Sequence, residues 1–117
     1  MVMSTLTSYE LDRAFSALAD PTRRAILSRL RTGEAGVLEI AEPFPMSQPA
    51  ISKHLKVLEA ASLVSRRRHA KQHLCRLEAR GLRPVHEWTG GFERFWNESF
   101  DRLDEYVQDL KQARQEE

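Results

Sequence analysis

Apolar residues recur at helical spacing along most of this chain and alternate over one short stretch. Leu11, Phe15 and Leu18 stand at i, i+4 and i+7, which predicts a helix over Tyr9–Leu18. Asp20-Pro21 then starts a second helix, since Asp is a good N-cap and Pro suits the first helical position. That helix presents Ile26, Leu27 and Leu30 inward and ends near Thr32-Gly33, where glycine fits a C-terminal cap. A short third helix covers Val37–Glu42 and is stopped by Pro43 and Pro45. Ser47 caps a fourth, with Pro49 in its first turn, where no helical N–H bond is lost. Projected at about 100° per residue, Ile51, Leu55 and Leu58 form one side. Pro49, Lys53 and Lys56 form the opposite side, with Ser52 beside them and Gln48 at the tip. Val64–Arg68 and Gln72–Leu77 read as two strands, the second setting Leu74 and Arg76 against Cys75 and Leu77. The connecting His69-Ala70-Lys71 lacks the glycine usual in a tight hairpin.

The last third is helical again. A first piece runs from about Arg80 to Trp88, and Gly90-Gly91 weakens or kinks it. Phe92, Phe95, Trp96, Ser99, Leu103, Tyr106, Val107 and Leu110 then fall at helical spacing, with Phe100 beside them. So many large aromatics are not left bare on a monomer. A polar helix followed by a basic hairpin is the layout of a winged helix-turn-helix. The expected fold is therefore mainly α, with a two-stranded β-wing between long first and last helices. The expected partner is double-stranded DNA.

Size and composition agree with this. The 117 residues make one domain, 1–117, with 41% hydrophobic and 30% charged residues. No apolar run is long enough for a membrane span, and Met1–Ser8 has neither a basic n-region nor an apolar h-region. The single Cys75 allows no internal disulfide, and a cytoplasmic location is expected. Net charge is only +1, but its distribution is uneven: −1 over 1–43, +6 over 44–77 and −4 over 78–117. A basic segment between acidic flanks fits an anionic partner for the middle, although a solvated surface accounts for the count alone equally well.

Two runs make a specific resemblance. One is Ala14-Phe15-Ser16-Ala17-Leu18-Ala19-Asp20-Pro21-Thr22-Arg23-Arg24-Ala25-Ile26-Leu27. The other is Glu39-Ile40-Ala41 leading into Met46-Ser47-Gln48-Pro49-Ala50-Ile51-Ser52-Lys53-His54-Leu55-Lys56-Val57-Leu58, with Leu63-Val64 after it. Together they resemble the ArsR/SmtB family of bacterial winged-helix repressors over roughly residues 10–110. The Phe-x-x-Phe-Trp of the last helix, followed by Leu103 and Tyr106, is similar to a subgroup without metal ligands. The resemblance implies a homodimer paired through its first and last helices (8–19 and 80–113). It also implies a helix-turn-helix over 37–60 in the major groove and a wing over 63–77 on the flanking backbone. Repression of its own operon from a pseudo-palindromic operator is implied too, with an unknown small-molecule effector left open.

Each candidate residue has a chemistry. Gln48 can pair with adenine, Lys53 with guanine and Ser52 with either, and Pro49 can meet a thymine methyl. Ser47 is first an N-cap, whose hydroxyl or neighbouring N–H groups can also meet a phosphate. Lys56 and Arg23 are phosphate candidates or simple surface charges. Arg66, Arg67, Arg68 and Lys71 belong to the wing, but alternation along a strand keeps them from sharing one face. His54 is read as a half-buried structural histidine at the edge of the apolar face. Leu11, Phe15, Phe92, Phe95, Trp96, Leu103, Tyr106 and Val107 are the candidate dimer interface.

Metal sensing finds no ligands at the family's positions. Gly36 and Leu38 stand where soft-metal sensors carry cysteines, and around His86 the pattern offers Pro84, Asn97 and Phe100. Cys75 is read as a small core residue. There is no Gly-rich phosphate loop and no nucleophile elbow, so no enzyme and no cofactor are expected. The expected function is a metal-independent dimeric DNA-binding repressor. The rival is a winged-helix module that binds protein and has no specific DNA site.

Overall fold

The computed structural model describes residues 5–116, and their side chains over 8–115. The stretch before Thr5, part of the segment read above for a secretory signal, lies outside the described residues. The element order is α1 (Thr5–Leu18), α2 (Pro21–Leu30), β1 (Ala35–Gly36), α3 (Val37–Ala41), α4 (Gln48–Ala60), β2 (Val64–His69) and β3 (Gln72–Leu77). A 3-10 turn (Ala79–Leu82), α5 (Arg83–Gly90) and α6 (Glu93–Glu116) follow. The chain divides into two compact units, one ending at Val85 and the other beginning at His86.

The cores of the helices are where periodicity puts them, and the ends follow cap chemistry. Asp20 is extended and accepts the Arg23 N–H, so α2 begins at Pro21. Ser47 does the same for α4 through the Ala50 N–H. α1 begins at Thr5, four residues before the apolar spacing becomes visible. The segment expected over Arg80–Trp88 is a 3-10 turn followed by α5. The chain leaves helix again around Gly91, before α6.

The two-stranded wing forms as expected from β2 and β3, and β1 joins it as a third strand, giving an antiparallel sheet of order β1-β3-β2. Ala35 pairs with Cys75 and Gly36 with Leu74, and two residues are too few to show alternation in a sequence. In the hairpin Val64 faces Leu77 and His69 faces Gln72, leaving a two-residue loop. Ala70 takes the left-handed conformation there, at φ 56°, in the place a glycine usually fills.

The core of the first unit gathers Ile26, Ile40, Ile51, Leu55, Leu58, Leu63 and Cys75, all fully buried. Burial pushes the Cys75 thiol up from its ordinary value, as fits a small core residue. α4 thus hangs on three side chains, Ile51, Leu55 and Leu58, and the opposite face is open. Leu11, expected at an interface, is already buried within the chain, whereas Phe15 is 40% exposed.

One contact after the wing had no warning in the sequence. A Cβ built on Gly81 would lie 2.4 Å from the Ser62 carbonyl oxygen and 2.7 Å from that of Ala61. Both are backbone atoms and have no side-chain freedom to move aside. Gly81→Ala is expected to destabilise the domain by about 1–3 kcal/mol through this overpacking. A melting temperature equal to wild type would show that the turn yields without cost.

Candidate nucleic-acid interface

Along α4 the outward residues Gln48, Pro49, Lys53 and Lys56 are exposed, and Ser52 is half-buried beside them. Ser47, also exposed, holds the helix start with its hydroxyl oxygen 3.3 Å from the Ala50 nitrogen. The row is polar, carries two ammonium groups and sits on a helix whose opposite side is fixed in the core. Such a helix can offer donors to base edges without disturbing the fold. Gln48 also faces the wing: with Lys71, Gln72 and His73 it lines a small groove floored by Gly36, Val37 and Leu38.

The wing's cations divide by face, as alternation requires. Arg66 is half-buried and pairs with Glu59 of α4. Arg67 points the other way and forks onto Glu34, Nε to Oε2 at 2.8 Å and Nη2 to Oε1 at 2.7 Å. Arg76 meets Glu78 at 3.0 Å, and the Ser65 hydroxyl donates to the same carboxylate at 2.8 Å. Arg68, His69 and Lys71 are exposed at the tip, and neither Arg68 nor Lys71 has an ion-pair partner among the described residues. Two of the four wing candidates are therefore held by carboxylates of their own chain, and two are free for an anion.

The Arg67 fork holds the Glu34 carboxyl below the usual glutamate range. A carboxyl lowered by folding contributes stability above its ordinary value, and that contribution is lost as pH falls through the lowered one. The Arg67 Nε–H should therefore be protected from exchange at neutral pH and lose protection as pH falls through the lowered Glu34 carboxyl value. In Glu34→Gln it should be unprotected throughout. A Glu34→Gln protein with wild-type protection of that proton would show that the fork is not what anchors the strand.

Arg23, a candidate for phosphate or a surface charge in the sequence, is tied to backbone carbonyls of its own chain. Its guanidinium donates from Nε to the Ala17 carbonyl at 2.7 Å and from Nη2 to the Ser16 carbonyl at 3.0 Å. Its Nη1 lies 3.3 Å from Nδ1 of His54. Arg24 donates to the Leu18 carbonyl at 2.8 Å. These two arginines satisfy the open carbonyls at the end of α1, a cap supplied from the next helix. His54 is half-buried, as expected, and its Nδ1 also stands 3.9 Å from Asp20 Oδ2. The Arg23 N–H, first, and then the nearby His54 and Arg23 charges hold the Asp20 carboxyl below its ordinary value. The α1–α2 corner is thus joined to α4 by polar contacts that no apolar spacing reveals.

The second unit carries the aromatic stripe. Phe95, Trp96, Phe100, Leu103, Tyr106, Val107 and Leu110 are between 37% and 66% exposed in the single chain. Phe92 stacks at a tilt between Trp88 and Phe95, with ring centroids 4.9 and 6.4 Å away. Among the described residues no group of three or more His, Cys, Asp or Glu could hold a metal ion. No described helix is long and apolar enough to cross a membrane.

A capped helix with an open polar face, packed beside a cationic β-hairpin, defines a winged helix-turn-helix DNA-binding domain. A helix-turn-helix domain model matches residues 18–67. The transcriptional regulator Rv2034 of Mycobacterium tuberculosis is 45% identical over 85 residues, 73% of this chain and 77% of that protein. The repressor SdpR of Bacillus subtilis is 44% identical over 55 residues, 47% of this chain and 61% of that one. The crystal structure of an ArsR family transcriptional regulator superposes with a TM-score of 0.72 at 34% identity, over 83% of this chain and 97% of the other. The chain belongs to the ArsR/SmtB family of winged helix-turn-helix transcriptional regulators. It is a DNA-binding regulator and not an enzyme.

Proposed function

We propose that this protein is a homodimeric repressor that reads a two-fold-related operator and needs no metal to do so. The observation that carries the reading is the outward row of α4, Gln48, Pro49, Ser52 and Lys53, held rigidly beside two unpaired wing cations. Gln48, Ser52 and Lys53 meet base edges, and Pro49 packs on a thymine methyl. Lys56, Arg68 and Lys71 hold phosphates, with Ser47 and the first N–H groups of α4 near another. Arg66 and Arg67 hold the hairpin in place from inside the chain. Dimerisation uses the stripe on α6 together with Phe15 and Phe92. Relatives named as repressors support the direction of regulation. Metal independence is supported by Gly36 and Leu38, which have no ligand atoms in their side chains.

The test is titration of the protein against a duplex from its own upstream region and a scrambled duplex, between 50 and 200 mM salt. Affinity should fall steeply with salt, by about 0.9 in log–log slope for each phosphate held, and should favour the upstream duplex. Weak, salt-insensitive binding without preference would favour a protein-binding module. The same complex should be indifferent to zinc, arsenite and chelator, and stoichiometric metal binding that releases DNA would overturn the metal-independent part.

A further inference from the structure

A cleft of about 430 Å³ opens between α1, the C-terminal end of α4 and the 3-10 turn, wholly within the first unit. That is within the size range of small-ligand sites. Its charged lining is Arg13 and Arg80 against Glu10, so it is cationic on balance. Tyr9, Pro84 and Ala60-Ala61 supply apolar walls. Arg13 lies over the Tyr9 ring, 4.9 Å from its centroid, and its Nη1 donates to the Ala60 carbonyl at 2.8 Å. Its other N–H groups have no hydrogen-bond partner among the described residues, and neither does the Arg80 guanidinium.

We propose that this cleft is an effector site for a small organic anion, an aromatic or alicyclic carboxylate. Two guanidinium groups suit a carboxylate, which accepts paired N–H bonds from an arginine fork. The Tyr9 and Pro84 surfaces suit a flat apolar body. A phosphate or sulfate would match the charge and leave those walls unused.

The cleft is coupled to the reading helix through one bond. Ala60 ends α4, and its carbonyl is among the last four, which have no intrahelical donor. Arg13 supplies that donor from α1. Two residues on, Ser62 is left-handed, at φ 59°, and its carbonyl oxygen is the atom that leaves no room for a Cβ on Gly81. A carboxylate that takes the open N–H groups of Arg13 and turns its guanidinium toward Arg80 draws Nη1 off the Ala60 carbonyl and uncaps α4, so effector and operator oppose each other. On the α1 projection Tyr9 and Arg13 lie about 120–160° from Phe15. The cleft therefore does not lie on the Phe15 side of α1. The regulatory consequence rests on the operator-binding reading above, whereas occupancy of the cleft does not.

The probe is benzoate, with benzamide as its uncharged counterpart, added to full-length protein without DNA. Saturable shifts of the Arg13 and Arg80 Nε–H and Tyr9 ring resonances are expected, half-complete near about 1 mM. Benzamide should bind about tenfold more weakly or worse, since it has no charge to assist its hydrogen bonds. Arg80→Gln, which removes no helix cap, should lose about tenfold in benzoate affinity while melting like wild type. Arg13→Gln should lose more, and Glu10→Gln should gain. Equal binding of the two probes, shifts confined to other residues, or no saturation by about 20 mM would overturn the site. In a second arm, saturating benzoate should lower operator affinity by the same factor that operator lowers benzoate affinity. Benzoate bound with operator affinity unchanged would overturn the effector role, and a protein that binds benzoate but no operator would instead overturn the DNA reading.

Discussion

Trp96→Ala should convert the proposed dimer to monomer at low micromolar concentration. Trp96 is 49% exposed in the single chain, on a helix face shared with Phe95, Leu103, Tyr106 and Val107. Its removal therefore takes little from the fold of one chain and much from whatever the face packs against. Burying a large aromatic contributes about 2–3 kcal/mol. A two-fold interface counts each truncation twice. The dissociation constant should then rise by about a thousandfold or more, since each 1.4 kcal/mol is tenfold. Operator affinity should fall with it, because two linked readers match half-sites roughly 34–36 Å apart and a lone reader holds one. Sedimentation equilibrium with a parallel operator titration measures both. A fully dimeric Trp96→Ala protein with an unchanged melting curve would place the interface on another surface.

The stripe was legible because α6 is long, and its apolar residues repeat often enough to establish a period. The reading helix was legible for a different reason. Ser47 and Pro49 mark its start chemically, and Ile51, Leu55 and Leu58 fix which side turns inward. β1 was not legible, because Ala35 and Gly36 become a strand only through pairing with Cys75 and Leu74, some forty residues away. The same holds for the turn at Gly81, whose need for glycine comes from backbone oxygens of Ala61 and Ser62. Long-range backbone approach leaves no local pattern.

Candidate site residues were readable by type and less so by partner. The six candidate cations of the wing and reading helix look alike in a sequence, yet Arg66 and Arg67 are neutralised by Glu59 and Glu34. Strand alternation said that some must turn away. It could not say that the residues meeting them would be carboxylates, one on α4 and the other just before β1. Arg23 is the clearest case. In the run Asp20-Pro21-Thr22-Arg23 the N-cap and the proline explain the first two residues, and the arginine reads as a phosphate candidate or a surface charge. Its partners are the carbonyls of Ser16 and Ala17, backward along the chain, and His54, thirty-one residues ahead. The polar contacts that tie α4 to the α1–α2 corner and to the wing thus come from outside α4, and a helix wheel cannot show them.

Lys53→Ala and Lys56→Ala should separate base reading from backbone grip. Both are exposed on α4, three residues apart, and neither has an ion-pair partner among the described residues. Neither touches the core, so the variants should fold and melt like wild type. If Lys53 meets a guanine edge, its loss removes about 1–3 kcal/mol of discrimination per half-site. Across two half-sites the preference for operator over scrambled duplex should fall by about thirtyfold or more, with affinity for scrambled duplex changed much less. Ser52→Ala should act in the same sense and more weakly, because a single hydroxyl replaces a charge-assisted donor. Lys56→Ala should instead weaken both duplexes alike and lower the salt slope by about two units, one per half-site. Anisotropy titrations of the three variants against both duplexes at two salt concentrations decide the matter. If Lys53→Ala and Ser52→Ala keep the wild-type preference, the reading face lies elsewhere on α4. If Lys53→Ala lowers both affinities equally and reduces the slope, Lys53 grips phosphate, and base recognition falls to Gln48 and Ser52.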